Sequence, residues 1–90
     1  MLDRSEIEHH LVAAITEVFA GKGEKPPHLI PGTATDNTFG FDSLDWAEVV
    51  VRLETELGFD PFEIHSESAR TLETLEDWIS LYLGGDRNRQ

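Results

Sequence analysis

Apolar residues recur at helical spacing in three stretches of the chain. In the first, Ile7, Leu11, Ala14, Ile15 and Val18 lie three or four residues apart. That spacing places side chains on one face of an α-helix. Ser5 and Glu8 stand just ahead of this face as an S-x-x-E capping box. The pattern predicts a first helix over residues 6 to about 20, stopped by Gly21 and Gly23. A second face is formed by Trp46, Val49, Val50, Leu53 and Leu57, which predicts a helix opened by Ser43 and ended by Gly58. In the third stretch Leu72, Leu75, Ile79 and Tyr82 share a face with Trp78 beside them, with Thr71 as the predicted N-cap and Gly84-Gly85 as the stop. Pro61 can open a short helix reaching Ala69.

Between the first two helices, Lys22 to Asp42 holds three Gly and three Pro and reads as a long loop. Leu29, Ile30, Phe39 and Phe41 are its predicted anchors into the core. No stretch alternates apolar and polar residues as a half-buried strand does. The expected fold class is therefore all-α: a small bundle of three main helices plus one short helix, with a long loop between helices one and two. Residues 1–85 are expected to form a single domain, and 86–90 a polar tail.

The second helix carries more apolar surface than a core face requires. Leu44, Ala47 and Val51 form a second stripe on the opposite side, bordered by Asp45, Glu48 and Glu54. An apolar strip set among carboxylates resembles a docking surface. The competing reading is that the loop or the short helix covers it.

Charge sharpens the picture. The chain of 90 residues has 18 acids against 7 Lys and Arg, a net charge of −11. Such a surface repels phosphate backbones and anionic lipid heads, so neither nucleic acid nor a membrane surface is an expected partner. Eight of the acids fall between Asp42 and Glu67, where Arg52 is the single base. A partner with Lys and Arg patches would be steered to this part of the molecule. No apolar run is long enough to span a bilayer and the N-terminus lacks a signal-peptide pattern. There is no cysteine, hence no disulfide, thiolate metal site or cysteine nucleophile. A cytoplasmic monomer is the expectation.

Several chemistries fail on spacing. A serine-hydrolase elbow needs glycine two residues either side of its serine, and around Ser43 those positions are Phe41 and Asp45. A calcium loop opening at Asp36 would need Gly at its sixth position and Glu at its twelfth, but holds Phe41 and Ala47. His9 and His10 diverge around the first helix, and His28 and His65 have no recognisable ligand partners.

Ser43 has two roles open to it. As the first residue of a helix it can serve as an N-cap. The free N–H groups and partial positive charge of a helix start also suit a phosphate ester on its oxygen. The run Phe39-Gly40-Phe41-Asp42-Ser43-Leu44-Asp45 resembles the G-x-D-S-L attachment motif of acyl and peptidyl (aminoacyl) carrier proteins. The resemblance continues through the helix Trp46 to Phe59 and the segment from Thr71-Leu72 to Trp78, and covers about residues 5–83. The loop from Gly21 to Gly32 is longer and richer in proline than that family's pattern.

The resemblance implies a non-catalytic carrier. Ser43, flanked by Asp42 and Leu44, would bear 4′-phosphopantetheine taken from coenzyme A by a phosphopantetheinyl transferase. The arm's thiol would hold an acyl or aminoacyl group as a thioester. A loading ligase and downstream acyl-transfer enzymes with basic docking patches would be its partners. They would meet Asp45, Ala47, Glu48, Val51 and Glu54. Trp46 departs from the small residue that fatty-acid carriers usually have there: filling that space would favour small or aminoacyl cargo over long chains, and the alternatives are extra core packing or the lining of a differently shaped pocket. The alternative is a carrier-shaped interaction module in which Ser43 is only an N-cap.

Overall fold

α1 spans Arg4–Gly21, α2 Ser43–Leu57 and α3 Leu75–Asn88 in the computed structural model, which describes residues 2–35, 39–59 and 72–88. Among the described residues there is no strand, only an isolated bridge between Ala34 and Thr74. The all-α expectation therefore holds. The short helix expected from Pro61 to Ala69 lies outside the described residues, as does the expected cap Thr71.

α1 is the central element and packs against both α2 and α3. Its buried face is Ile7, Leu11, Ala14, Ile15, Val18 and Phe19, the predicted stripe extended by one aromatic ring. Its cap differs from the predicted one. Asp3 is the N-cap, and its carboxylate accepts the Glu6 N–H at 2.8 Å. Glu6 returns a longer bond from the Asp3 N–H at 3.4 Å. Ser5 and Glu8 lie inside the helix. Aspartate caps as well as serine does, so the D-x-x-E that begins two residues earlier wins the register and adds half a turn.

α2 buries Val49, Leu53 and Leu57, while Trp46 and Val50 pack half-buried against the same core. Gly58 ends it in the left-handed conformation (φ 86°), where its N–H reaches the Glu54 carbonyl. A side chain with a Cβ is strained at that φ, which explains why the stop is glycine.

α3 also begins and ends away from the predicted points. Thr74 and Asp77 exchange the cap bonds: the Thr74 Oγ1 accepts the Asp77 N–H at 3.3 Å, and the Asp77 carboxylate accepts the Thr74 N–H at 3.0 Å. The helix then runs through Gly84-Gly85 to Asn88. Glycine lowers helix propensity by about 1 kcal/mol per residue but does not forbid the conformation. Leu75, Trp78, Ile79, Leu81 and Tyr82 are buried.

The long loop is held largely by backbone. The first N–H groups of a helix have no partner within it. Here loop carbonyls supply partners at α3: Thr33 accepts from the Leu75 N–H at 3.0 Å, and Pro31 from the Glu76 N–H at 2.8 Å. In return the Thr35 N–H donates to the Glu73 carbonyl at 2.8 Å. Phe39 and Phe41 are buried as expected and Leu29 is half-buried. Ile30, expected as an anchor, is exposed. Its backbone turns onto Thr33 instead, through both the Thr33 N–H and its hydroxyl. At the surface, the Arg4 guanidinium forks onto the Glu76 carboxylate and ties α1 to α3.

Asp3→Ala should lower stability by about 1 kcal/mol, roughly 4–8 °C in a domain of this size, while Ser5→Ala should leave the melting temperature near that of the wild type. Thermal denaturation of the two variants side by side decides which residue caps α1.

Candidate functional site

The start of α2 is built by a chain of local bonds. Gly40 adopts φ 90° between Phe39 and Phe41, both of which are buried. Asp42 follows in extended conformation and is the N-cap of α2. Its carboxylate accepts the Asp45 N–H at 2.9 Å, and the Asp45 carboxylate accepts the Asp42 N–H at 3.1 Å. The first helical bond runs from the Trp46 N–H to the Asp42 carbonyl at 3.1 Å.

This arrangement corrects the role of Ser43. The cap belongs to Asp42, because Asp45 stands three residues on and completes a reciprocal box. Ser43 becomes the first residue of the helix proper, with its side chain exposed. Its hydroxyl sits at the positive end of the α2 dipole. Asp42 and Leu44, on either side of it, are exposed too.

Lys22, read in the sequence only as the start of the loop, is the cation of this site. Its ammonium donates to the Asp45 carboxylate at 2.9 Å and to the Gly40 carbonyl at 3.2 Å. It also lies 5.4 Å from the centre of the Phe41 ring. Lys22 and Asp45 are 23 positions apart, so no local spacing pointed to the pair. The hydrogen bond from Lys22 is the main reason the Asp45 carboxyl is held below the usual carboxylate range, with the Asp42 N–H adding to it. The same contact raises the Lys22 ammonium.

Beyond the first turn, α2 presents the second stripe to solvent. Leu44 is 77% exposed and Val51 61%, and Ala47, Glu48 and Glu54 are exposed beside them. Among the described residues nothing covers this strip. Asp45 stands apart from it, half-buried and tied to Lys22. Arg52, the one base in the acidic segment, is held between Glu48 at 3.7 Å and Glu17 at 3.9 Å. Its charge is thus compensated within the molecule, and the face stays acidic.

Beneath the serine the interior is aromatic. The Trp46 ring stacks on Trp78 of α3 with centroids 4.6 Å apart and planes within 17°. Phe39 stacks on the same indole at 5.3 Å, and Phe41 meets it edge-on at 4.9 Å. Phe19 of α1 closes the cluster against both phenylalanines. Periodicity marked Trp46 as a core residue but gave no sign of its partner. No group of described residues has the makings of a metal site, and no described helix is long and apolar enough to cross a membrane.

Because its carboxyl is depressed, Asp45 stabilises the fold fully above the ordinary aspartate value of about 3.9, and that contribution is lost as pH falls through the lower folded value. Lys22 contributes fully below about 10.4, and its share is lost as pH rises through the higher folded value. A carboxyl-carbon NMR titration should find Asp45 titrating below the ordinary aspartate value of about 3.9. Lys22→Ala should raise it part of the way back, since the Asp42 N–H remains.

A curated relative, named acyl carrier protein 2, mitochondrial, from Arabidopsis thaliana, is 28% identical over 79 residues. The match takes in 88% of this chain, which spans 60% of the relative's length. No family model matches, and no solved structure does so significantly. The relative's name places it in mitochondria, so the match lends nothing to the cytoplasmic expectation. The chain is thus similar, over nearly all of its length, to an acyl carrier protein, the family whose attachment motif its Gly40–Leu44 segment resembles.

Proposed function

We propose that this protein is a carrier that holds an acyl or aminoacyl group as a thioester on 4′-phosphopantetheine attached to Ser43. The observation that carries the reading is the assignment of capping to Asp42, which leaves the Ser43 hydroxyl exposed at the first position of α2. A serine serving as the cap would spend its oxygen on a backbone N–H; this one does not have to. An oxygen in that place suits a phosphodiester, because the helix end favours negative charge. The prosthetic group would supply the thiol that a cysteine-free chain lacks.

The other residues have supporting roles. Asp42 holds the helix start in shape through its bonds with Asp45. Lys22 locks Asp45 and Gly40 together behind it. Leu44, Ala47 and Val51 would meet apolar side chains of a phosphopantetheinyl transferase, a loading ligase or an acyl-transfer enzyme. Glu48 and Glu54 would steer the basic patches of such partners. The chain has no catalytic role of its own in this reading, and the relative's printed name accords with it.

Incubation with coenzyme A, Mg²⁺ and a broad-specificity phosphopantetheinyl transferase should add one phosphopantetheine by intact mass. Ser43→Ala should abolish the gain while melting near the wild-type temperature, since the cap stays with Asp42. Modification persisting in that variant would refute the site. Glu54→Lys should slow the transferase reaction several-fold at low salt and much less at high salt. Glu54 suits this test better than Glu48, whose reversal would also break the pair with Arg52. Equal slowing at both salt concentrations would show that the face does not act through charge.

A further inference from the structure

The space behind Ser43, between α2 and α3, is occupied by stacked rings. Trp46 lies three residues after the serine, and its indole bridges to Trp78 at 4.6 Å, nearly parallel. Phe39 and Phe41 press on the Trp46 ring, at 5.3 and 4.9 Å. Trp78, Phe39 and Phe41 are all buried, and Trp46 is half-buried. Two open clefts among the described residues, of about 740 and 580 Å³, are lined by neither tryptophan. Ring faces at these separations are in contact and leave no gap for a methylene chain. Among the described residues, an alkyl chain passing from the serine end between α2 and α3 would have to part Trp46 from Trp78 and displace Phe39 and Phe41 with it.

We propose that the Trp46–Trp78 stack closes the interval between α2 and α3 to alkyl chains, so that this carrier keeps its cargo outside the bundle and is suited to short or polar acyl groups, amino acids among them. The proposal rests on the carrier reading of Ser43. Trp46 acts here as a specificity-determining residue: it excludes a class of cargo from the interior and takes no part in chemistry. A long hydrocarbon chain on such a carrier would stay in water, which disfavours it by the hydrophobic free energy it fails to recover. A polar or very short group loses nothing by remaining outside.

The test loads the protein from acetyl-, butanoyl-, octanoyl- and decanoyl-coenzyme A with the same transferase and checks each product by intact mass. Melting temperatures should be flat across the series, and hydroxylamine should cleave the decanoyl and acetyl thioesters at the same rate. A melting temperature that climbs by several degrees with chain length, as burial of added methylenes produces in a domain this small, would overturn the proposal. So would slower cleavage of the decanoyl thioester. Trp46→Ala should acquire that chain-length dependence, and Trp46→Phe should stay flat. A folded Trp46→Ala variant with a flat series would show that Trp46 is not the barrier. If Trp46→Ala does not fold, the wild-type series still decides. Absence of any mass gain would overturn the carrier reading and this proposal together, whereas full loading followed by chain-length-dependent stabilisation would overturn this proposal alone.

Discussion

Five aromatic rings drawn from four parts of the chain meet under the first turn of α2. Phe19 comes from α1, Phe39 and Phe41 from the loop, Trp46 from α2 and Trp78 from α3. Aromatic contacts of this kind add about 0.5–1.5 kcal/mol per pair beyond the area they bury. Their larger effect is positional. With Phe39 and Phe41 both pinned inward, Gly40 between them must take a left-handed backbone, and the next residues are delivered to the surface. Asp42 then caps, and Ser43 emerges exposed. The place of the candidate attachment oxygen is thus set by hydrophobic packing two to four residues upstream.

A polar clamp closes the same region from outside. Lys22 leaves the end of α1 and bonds both the loop, at Gly40, and α2, at Asp45. It does so where carboxylates already favour the positive end of the helix. One cation therefore joins three of the four segments that the ring cluster joins from within. Among the other acids of α2, Glu48 shares Arg52 with Glu17 and Glu56 lies 4.0 Å from His10, so one permanent cation serves them. Negative charge consequently remains on the face that also exposes Leu44 and Val51. In the proposed carrier the two features would serve different stages of an encounter: charge would speed approach, and apolar contact would hold the partner.

Helix identity and faces were legible because each is a short-range property. Ile7 to Val18 and Val49 to Leu57 repeat at the period of the helix, and the period alone tells which side faces the core. The two-sided character of α2 followed in the same way, and Leu44 and Val51 are exposed as that reading allows. The motif around Ser43 was also local. Caps were harder to read. Three candidate cap positions each had a polar competitor nearby, and the choice between Asp3 and Ser5, or Asp42 and Ser43, turns on which residue finds its partner three positions on in the final backbone. Ile30 went astray because apolar character predicts burial only when something packs over the residue.

The amino-acid sequence by itself determined the helical class, the apolar faces of the helices, the acidity of α2 and the motif holding Ser43, all of which depend on neighbours within a turn or two. The tertiary structure decided the rest: the bond of Lys22 to Asp45, the stack of Trp46 on Trp78, and the loop carbonyls of Pro31 and Thr33 that satisfy the first turn of α3. Those partners are 23 to 45 residues apart along the chain. Backbone carbonyls carry no side-chain signature, and a ring or an ammonium has many partners of equal chemistry. Only the way α2 and α3 lie against α1 selects among them.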